Sequence, residues 1–243
     1  MSAIPWVVWA AIALVALAAF LYWLFVLAEG AYLGSKVVCK LYDWTASRYE
    51  AIKGFEPYYE ERFIGEPLAM ALAGRPEPLV LDVAAGTGRL PRALFPSMPS
   101  FSGLVVEVDR ARAMLAEGRK LLAGEESRVA SVQADGMTLP FGDATFDAVV
   151  SLEALEFFPD LRGALAEMAR VLEPGGFLMI TNRKGWGKYY MPGRVRPLAE
   201  VLQMLTELGF PQPVSSVWQV NYDLICAAKG PRDGSETSSM APG

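Results

Sequence analysis

Two glycines, Gly86 and Gly88, follow an apolar run that carries a single acid, Asp82, in the stretch Val80-Leu81-Asp82-Val83-Ala84-Ala85-Gly86-Thr87-Gly88. Lacking a Cβ, glycine allows a tight turn and lets a ligand come close to the backbone. Asp109 ends a second apolar run 21 residues after Gly88. That is about the distance at which a carboxylate is placed to accept hydrogen bonds from the hydroxyls of a bound ribose. A dinucleotide fingerprint needs a third glycine three residues beyond the second. Counting from Gly86 that position is Pro91, and counting from Ala84 it is Arg89, so NAD is disfavoured. Two more acids, Glu153 and Glu156, stand in Ser151-Leu152-Glu153-Ala154-Leu155-Glu156-Phe157-Phe158. The flanking phenylalanines would raise a carboxyl's pKa toward the range useful for proton transfer, and a loop with solvated acids is the competing reading. With no histidine in 243 residues, Ser-His-Asp triads, His-Cys pairs and His-ligated metals are all excluded.

These residues need a scaffold, and the pattern supplies one. Apolar runs at 79–83, 103–108, 129–133, 146–152 and 177–181 alternate with helical stretches. Continuous apolar runs, in place of strict alternation, belong to strands covered on both faces. Between the last two runs, Leu161, Leu165, Met168 and Leu172 share one helical face, and the helix is predicted to stop at Pro174-Gly175-Gly176. The pattern predicts an α/β fold with a doubly wound, mostly parallel sheet. In such sheets ligands bind at the carboxyl ends of the strands, where the glycine loop, Asp109 and Glu153 all fall. The net charge of −5 argues against binding a nucleic-acid backbone. Two distant cysteines, Cys39 and Cys226, make neither a disulfide framework nor a zinc set.

The glycine loop resembles motif I of the class I S-adenosylmethionine-dependent methyltransferases, usually L-D-x-G-x-G-T-G, and the resemblance continues in order along the chain. Val105-Val106-Glu107-Val108-Asp109 with Ala113-Met114-Leu115 is similar to that family's acidic position and the Met-Leu that follows it. Ala134-Asp135-Gly136-Met137-Thr138-Leu139-Pro140-Phe141 resembles its adenine-binding segment. Phe146-Asp147-Ala148-Val149-Val150-Ser151 resembles its fourth strand, and Val171-Leu172-Glu173-Pro174-Gly175-Gly176 its turn into the fifth. Tyr42-Asp43-Trp44-Thr45-Ala46-Ser47-Arg48-Tyr49-Glu50 is similar to its amino-terminal lid, and the matches span roughly residues 42–229.

The resemblance implies a seven-stranded sheet and S-adenosylmethionine as cofactor. It implies contacts from Asp82, Ala84, Gly86, Gly88, Asp109, Asp135, Gly136, Met137, Ser151 and Tyr49, with Glu153 and Glu156 as candidates beside the transferring methyl. Several readings stay open. Asp82 either ties down the glycine loop or contacts the cofactor's amino group. Asp135 either forms an Asp-Gly turn or contacts adenine, and Met137 packs on adenine or in the core. Tyr42 and Tyr49, seven apart, share a helix face directed at the pocket or at the core. Ala84 stands where the family usually has its first glycine. Glu107 stands where glycine is common, and is read as a solvated or salt-bridged acid at a strand end in preference to one that competes for the ribose.

Residues 4–28 carry no charge and are almost wholly apolar, long enough for one transmembrane helix with Trp6, Trp9, Tyr22, Trp23 and Tyr32 toward its interfaces. A cleaved signal peptide, the main rival, would begin with basic residues and have a shorter apolar run. Lys36, Lys40, Arg48 and Lys53 follow the span and none precedes it, which puts the remainder in the cytoplasm. The organisation expected is a transmembrane helix over 1–33, connector and lid helices over 34–74, a methyltransferase domain over 75–229 and a disordered tail over 230–243. The span is read as an element separate from the domain core. Cys39 is read as a buried, unmodified thiol in preference to an acylated one. Arg183, Lys184 and Lys188 beside Trp186, Tyr189 and Tyr190 suit an anionic lipid headgroup or form a solvated loop. The partners expected are the membrane and a lipidic or small-molecule methyl acceptor, such as a quinone precursor or a phospholipid headgroup, and no nucleic acid. A soluble or protein acceptor and a non-catalytic membrane-anchored assembly module are the alternatives.

Overall fold

A computed structural model describes residues 5–231. Of the tail expected to be disordered, residues 232–243 lie outside the described residues, as does Ile4 at the start of the expected span. Seven strands form one sheet: β1 Leu79–Val83, β2 Leu104–Asp109, β3 Val129–Gln133, β4 Phe146–Ser151, β5 Leu172–Arg183, β6 Val214–Gln219 and β7 Tyr222–Ala228. Their order is β3-β2-β1-β4-β5-β7-β6, with β7 antiparallel to both of its neighbours and the other pairs parallel. The chain reverses its direction of winding between β1 and β4. That switch point opens a crevice at the carboxyl ends of the strands.

Before the sheet come α1 Trp6–Tyr22, α2 Ser35–Thr45, α3 Tyr49–Lys53, α4 Pro57–Glu60 and α5 Glu66–Leu72. Within and after it are α6 Arg89–Ser97, α7 Arg112–Leu121, α8 Leu161–Val171, α9 Gly187–Tyr190 and α10 Leu198–Glu207. Both faces of the sheet are covered, as continuous apolar strands require. One core layer joins Leu81, Val83, Val108 and Val149 to Leu165 and Met168 of α8 and to Val201 and Leu205 of α10. The other joins Val80, Val105 and Val150 to Leu90 and Leu94 of α6 and to Ile64 and Leu68 from the segment before the sheet. Asp160 caps α8 by accepting the Gly163 N–H at 3.1 Å.

The expected strand bounds hold for β1 and β3 and move by one residue in β2 and β4. β5 differs more, because it begins at Leu172 and carries Pro174-Gly175-Gly176 inside the strand. The register slips between Phe146 and Ala148 on its partner, so the Pro-Gly-Gly turn acts as a bulge in the strand.

Trp6–Leu27 is long and apolar enough to cross a membrane, with mean hydropathy 2.6, and most of it is exposed. Its carboxyl end is not free-standing. Leu24, Ala28 and Ala31 are buried, and Ala28 and Ala31 pack with Met191. The reading of the span as separate from the domain core is therefore corrected at its last turn.

Candidate active site

At the carboxyl ends of β1, β2 and β4 lies an open cleft of about 820 Å³, solvent mouth included, within the size range of small-molecule sites. Among the residues expected to bind cofactor, Tyr49, Ala84, Gly86, Asp109, Asp135 and Gly136 line this cleft, together with Glu153. Asp82 borders a smaller adjoining cavity that shares Tyr49, Ala84 and Gly86. Gly88, Met137 and Ser151 line neither. Gly88 is the amino-terminal cap of α6, Met137 is half-buried, and Ser151 is fully buried with an unpartnered hydroxyl.

The turn is built by charge and by backbone conformation. Asp109 accepts the Gly86 N–H at 2.9 Å and the Ala111 N–H at 2.8 Å, so it is this acid that fastens the glycine loop. Asp82, read either as the tie or as a ligand contact, accepts none of the loop's N–H groups and is left beside the small cavity. Burial pushes Asp82 well above the ordinary carboxylate range, and the charges of Glu107 and Asp109 add to the shift. Ala84 sits at φ +59°, a left-handed conformation that favours glycine, which accounts physically for the residue usual there in the family. A side chain at Gly136 would come within 2.9 Å of both Phe158 and Val83, so this loop needs glycine to close against the cleft wall. Asp135 shapes the turn of its first reading and also lines the cleft. It accepts the Met137 N–H at 3.1 Å to shape the turn, and it faces the cleft while paired with Arg110 at 3.1 Å.

Tyr42 and Tyr49 both face the cleft, with ring centroids 6.0 Å apart. Burial pushes the Tyr49 hydroxyl up to about 12. The Tyr42 hydroxyl donates to Glu29 at 2.7 Å, and its ring meets Phe157 edge-on at 5.8 Å. α2 contributes wall residues that no motif pointed to, namely Ser35, Val38 and Cys39. Cys39 is half-buried there, its thiol donating to the Arg110 carbonyl at 3.3 Å.

The two acids after β4 have different surroundings. Glu153 is held by Lys53 at 2.8 Å and by Arg89 at 2.7 Å, which keep it ionised below the ordinary carboxylate range despite burial. A carboxylate so stabilised is a weak base. Glu156 is buried behind the wall, raised by burial, and accepts the Tyr222 hydroxyl at 2.7 Å with Arg183 at 3.4 Å. It does not line the cleft.

Glu107 corrects the reading of a solvated or salt-bridged acid. It is fully buried, its one hydrogen bond comes from Ser131 at 3.1 Å, and its Oε1 has no partner. Burial pushes it up to about 7. A carboxyl whose folded pKa is raised favours the folded state most at low pH, and that contribution is lost as pH rises from its unfolded value near 4.5 toward 7. Thermal unfolding in detergent should therefore show wild type losing stability against Glu107→Gln by roughly 3 kcal/mol between pH 4.5 and 7.5. A flat difference across that range would show that Glu107 is not protonated in the fold.

A methyltransferase-domain family model matches residues 81–180, the stretch that runs from β1 into β5 and includes the cleft. The chain is similar to a demethylmenaquinone methyltransferase of Thermobifida fusca, 32% identical over 178 residues, covering 72% of this chain and 70% of that protein. The chain belongs to the class I S-adenosylmethionine-dependent methyltransferases. A demethylmenaquinone methyltransferase of Clavibacter sepedonicus is 44% identical over 101 residues, 42% of this chain, and the chain spans only 39% of that protein's length. The fold of this methyltransferase is also that of phosphoethanolamine N-methyltransferase 2 of Haemonchus contortus, solved in complex with S-adenosyl-L-methionine. That likeness has a TM-score of 0.62 at 19% identity and covers 77% of this chain and 57% of the other. The cofactor is S-adenosylmethionine, and the cleft suits it in size, in its glycine turn and in the acid ending β2.

Proposed function

We propose that this methyltransferase is tethered to a membrane by its first helix and methylates a lipid-soluble, quinone-related acceptor presented at the bilayer surface. The observation that carries this reading is that the end of the apolar helix is fastened to residues of the cleft wall. Glu29, two residues beyond Leu27, accepts the Tyr42 hydroxyl, and Tyr42 packs on Phe157 inside the pocket. The names of the relatives supply the acceptor class. Four basic residues after the span and none before it favour a cytoplasmic catalytic domain. We place the end of the membrane element near Leu24 and assign 28–229 to the catalytic unit, since Ala28, Glu29 and Ala31 belong to its packing.

S-adenosylmethionine, when bound, supplies an electrophilic methyl group on positively charged sulfur. The chain then has to hold the partners in line and keep water out. Asp109 takes the ribose hydroxyls on the acceptor positions that Gly86 and Ala111 leave open, since one carboxylate has about four such positions. Asp135 and the Gly136 backbone would hold the adenine, and Ala84 and Gly86, beside Asp82, would hold the methionine portion. Tyr42 and Tyr49 would help exclude water from the methyl group. Glu153, ionised and held by Lys53 and Arg89, would orient an acceptor hydroxyl by accepting its hydrogen bond, and the proton the acceptor loses on methylation would leave to water through the open mouth of the cleft.

Membranes holding the full chain, incubated with methyl-labelled S-adenosylmethionine, test this directly. Label that extracts into organic solvent with the quinones is the expected result, and label that stays with protein overturns the acceptor class. Protease added outside sealed cells should spare the catalytic domain, and its digestion would reverse the orientation.

A further inference from the structure

The anchor's last turn is fastened to a short aromatic segment that the reaction does not use. The Trp23 indole donates to the Tyr190 carbonyl at 2.9 Å, and its ring stacks on Tyr32 with centroids 5.4 Å apart. Tyr32 donates to the Pro192 carbonyl at 2.7 Å, and Arg194 donates to the Ala31 carbonyl at the same distance. Met191 is completely buried against Ala28 and Ala31. Residues 190–194 are thus pinned to the end of the helix.

This attachment fixes a depth. Trp23 adjoins Leu24, where the membrane element is placed to end, within about 1.5 Å along a helix axis. The headgroup layer is itself only roughly 5–7 Å thick on each side of the hydrocarbon. A backbone group bonded to Trp23 therefore stands at the boundary between acyl chains and headgroups. Just before it, Trp186, the amino-terminal cap of α9, is 71% exposed and Tyr189 62%, with rings 5.5 Å apart and Lys188 over the Tyr189 ring. The β6–β7 turn, joined to this segment by the Lys184 N–H to the Asn221 carbonyl at 2.7 Å, adds Val220, 89% exposed. Tryptophan and tyrosine are the residues that favour this layer. The charges around them are otherwise engaged: Arg183 faces Glu156 and Glu29, and Lys184 is paired with Asp223 at 2.5 Å. This corrects the sequence expectation of a three-cation site for an anionic headgroup, because Lys188 alone of the three is exposed.

We infer that the segment 186–190, with Val220, is a second membrane contact, an aromatic ledge seated in the interfacial layer of the bilayer that α1 spans. Its partner is the lipid interface itself. One helix alone would leave the domain free to swivel, whereas the ledge sets its tilt. Phe157, which packs beside Met191 and also lines the cleft, then stays turned toward the membrane.

The inference rests on the tethered reading, and the test separates the two. The full chain and its Trp186→Phe variant are placed in phosphatidylcholine vesicles with acyl chains brominated either near the headgroup or near the chain ends. The difference between their emission spectra isolates Trp186. The expected result is a blue-shifted emission, quenched about twofold or more by bromine near the headgroup and little by aqueous acrylamide. If the chain resists alkaline carbonate extraction but Trp186 is quenched as in water, the ledge is overturned and the tether stands. Shielding from acrylamide without quenching by the bromolipids would mean that protein covers the ledge, and would also overturn it. Extraction by carbonate overturns both.

Discussion

Asp109→Ala is expected to lower affinity for S-adenosylmethionine by roughly ten- to a hundredfold, the loss of about 1.5–3 kcal/mol that follows removal of a charged acceptor. Two roles converge on this side chain. Its oxygens already accept the Gly86 and Ala111 N–H groups, so the substitution would release the glycine loop along with the proposed ribose contact. Asp109→Asn separates them, because one amide oxygen can keep one backbone bond while the negative charge is lost, and it should fall between wild type and Asp109→Ala. Gly86→Val should remove binding altogether, since Gly86 has φ +59° and a branched side chain there is strained while it also fills the cleft. Calorimetric titration, with circular dichroism to confirm folding, checks all three. Unchanged affinity in a folded Asp109→Ala protein would take Asp109 out of the site.

Asp109 is legible in the amino-acid sequence because its signal is local. A glycine turn after one apolar run, and an acid at the end of the next, are fixed by spacing along the chain, and the sheet brings adjacent strand ends together. The same holds for Asp135-Gly136, where the turn and the cleft wall coincide. What the sequence hides is set by contacts between distant segments. Glu153 meets Lys53 and Arg89 from 100 and 64 residues away, so nothing near it in sequence shows that it is already neutralised. Glu107 reads as a strand-end acid, and only the stacking of α6, α7 and the sheet encloses it. β6 escapes a reading by apolar runs because Ser215 and Ser216 interrupt it and Val214 and Val217 are exposed, whereas β7 carries the apolar run 224–228, which that reading passed over. Gly88, Met137 and Ser151 follow the motif order, yet they pack beside the cleft and do not face it.

Arg89→Met is expected to destabilise the protein by roughly 3–5 kcal/mol at neutral pH, the usual cost of leaving a buried charge without its partner. Arg89 is nearly buried, donates to Glu60 at 2.5 and 2.8 Å and to Glu153 at 2.7 Å, and lies between the rings of Phe55 and Trp218 at 4.1 and 4.6 Å. Methionine keeps the apolar stem but removes the guanidinium that sits over both rings, so the loss includes the two cation–π contacts along with the ion pairs. Glu153 retains Lys53, whereas Glu60 is left buried with no cation, and the larger share of the penalty belongs to it. The double variant Glu60→Gln with Arg89→Met should therefore recover much of the loss. For a chain of this size the single variant should melt at a temperature lower by about 10 °C. The deficit should narrow in mildly acidic buffer, where an unpaired buried carboxylate is relieved by taking up a proton. A loss under about 1 kcal/mol, or no recovery in the double variant, would mean that water reaches these groups and that the network is not what holds Glu153 in the cleft wall.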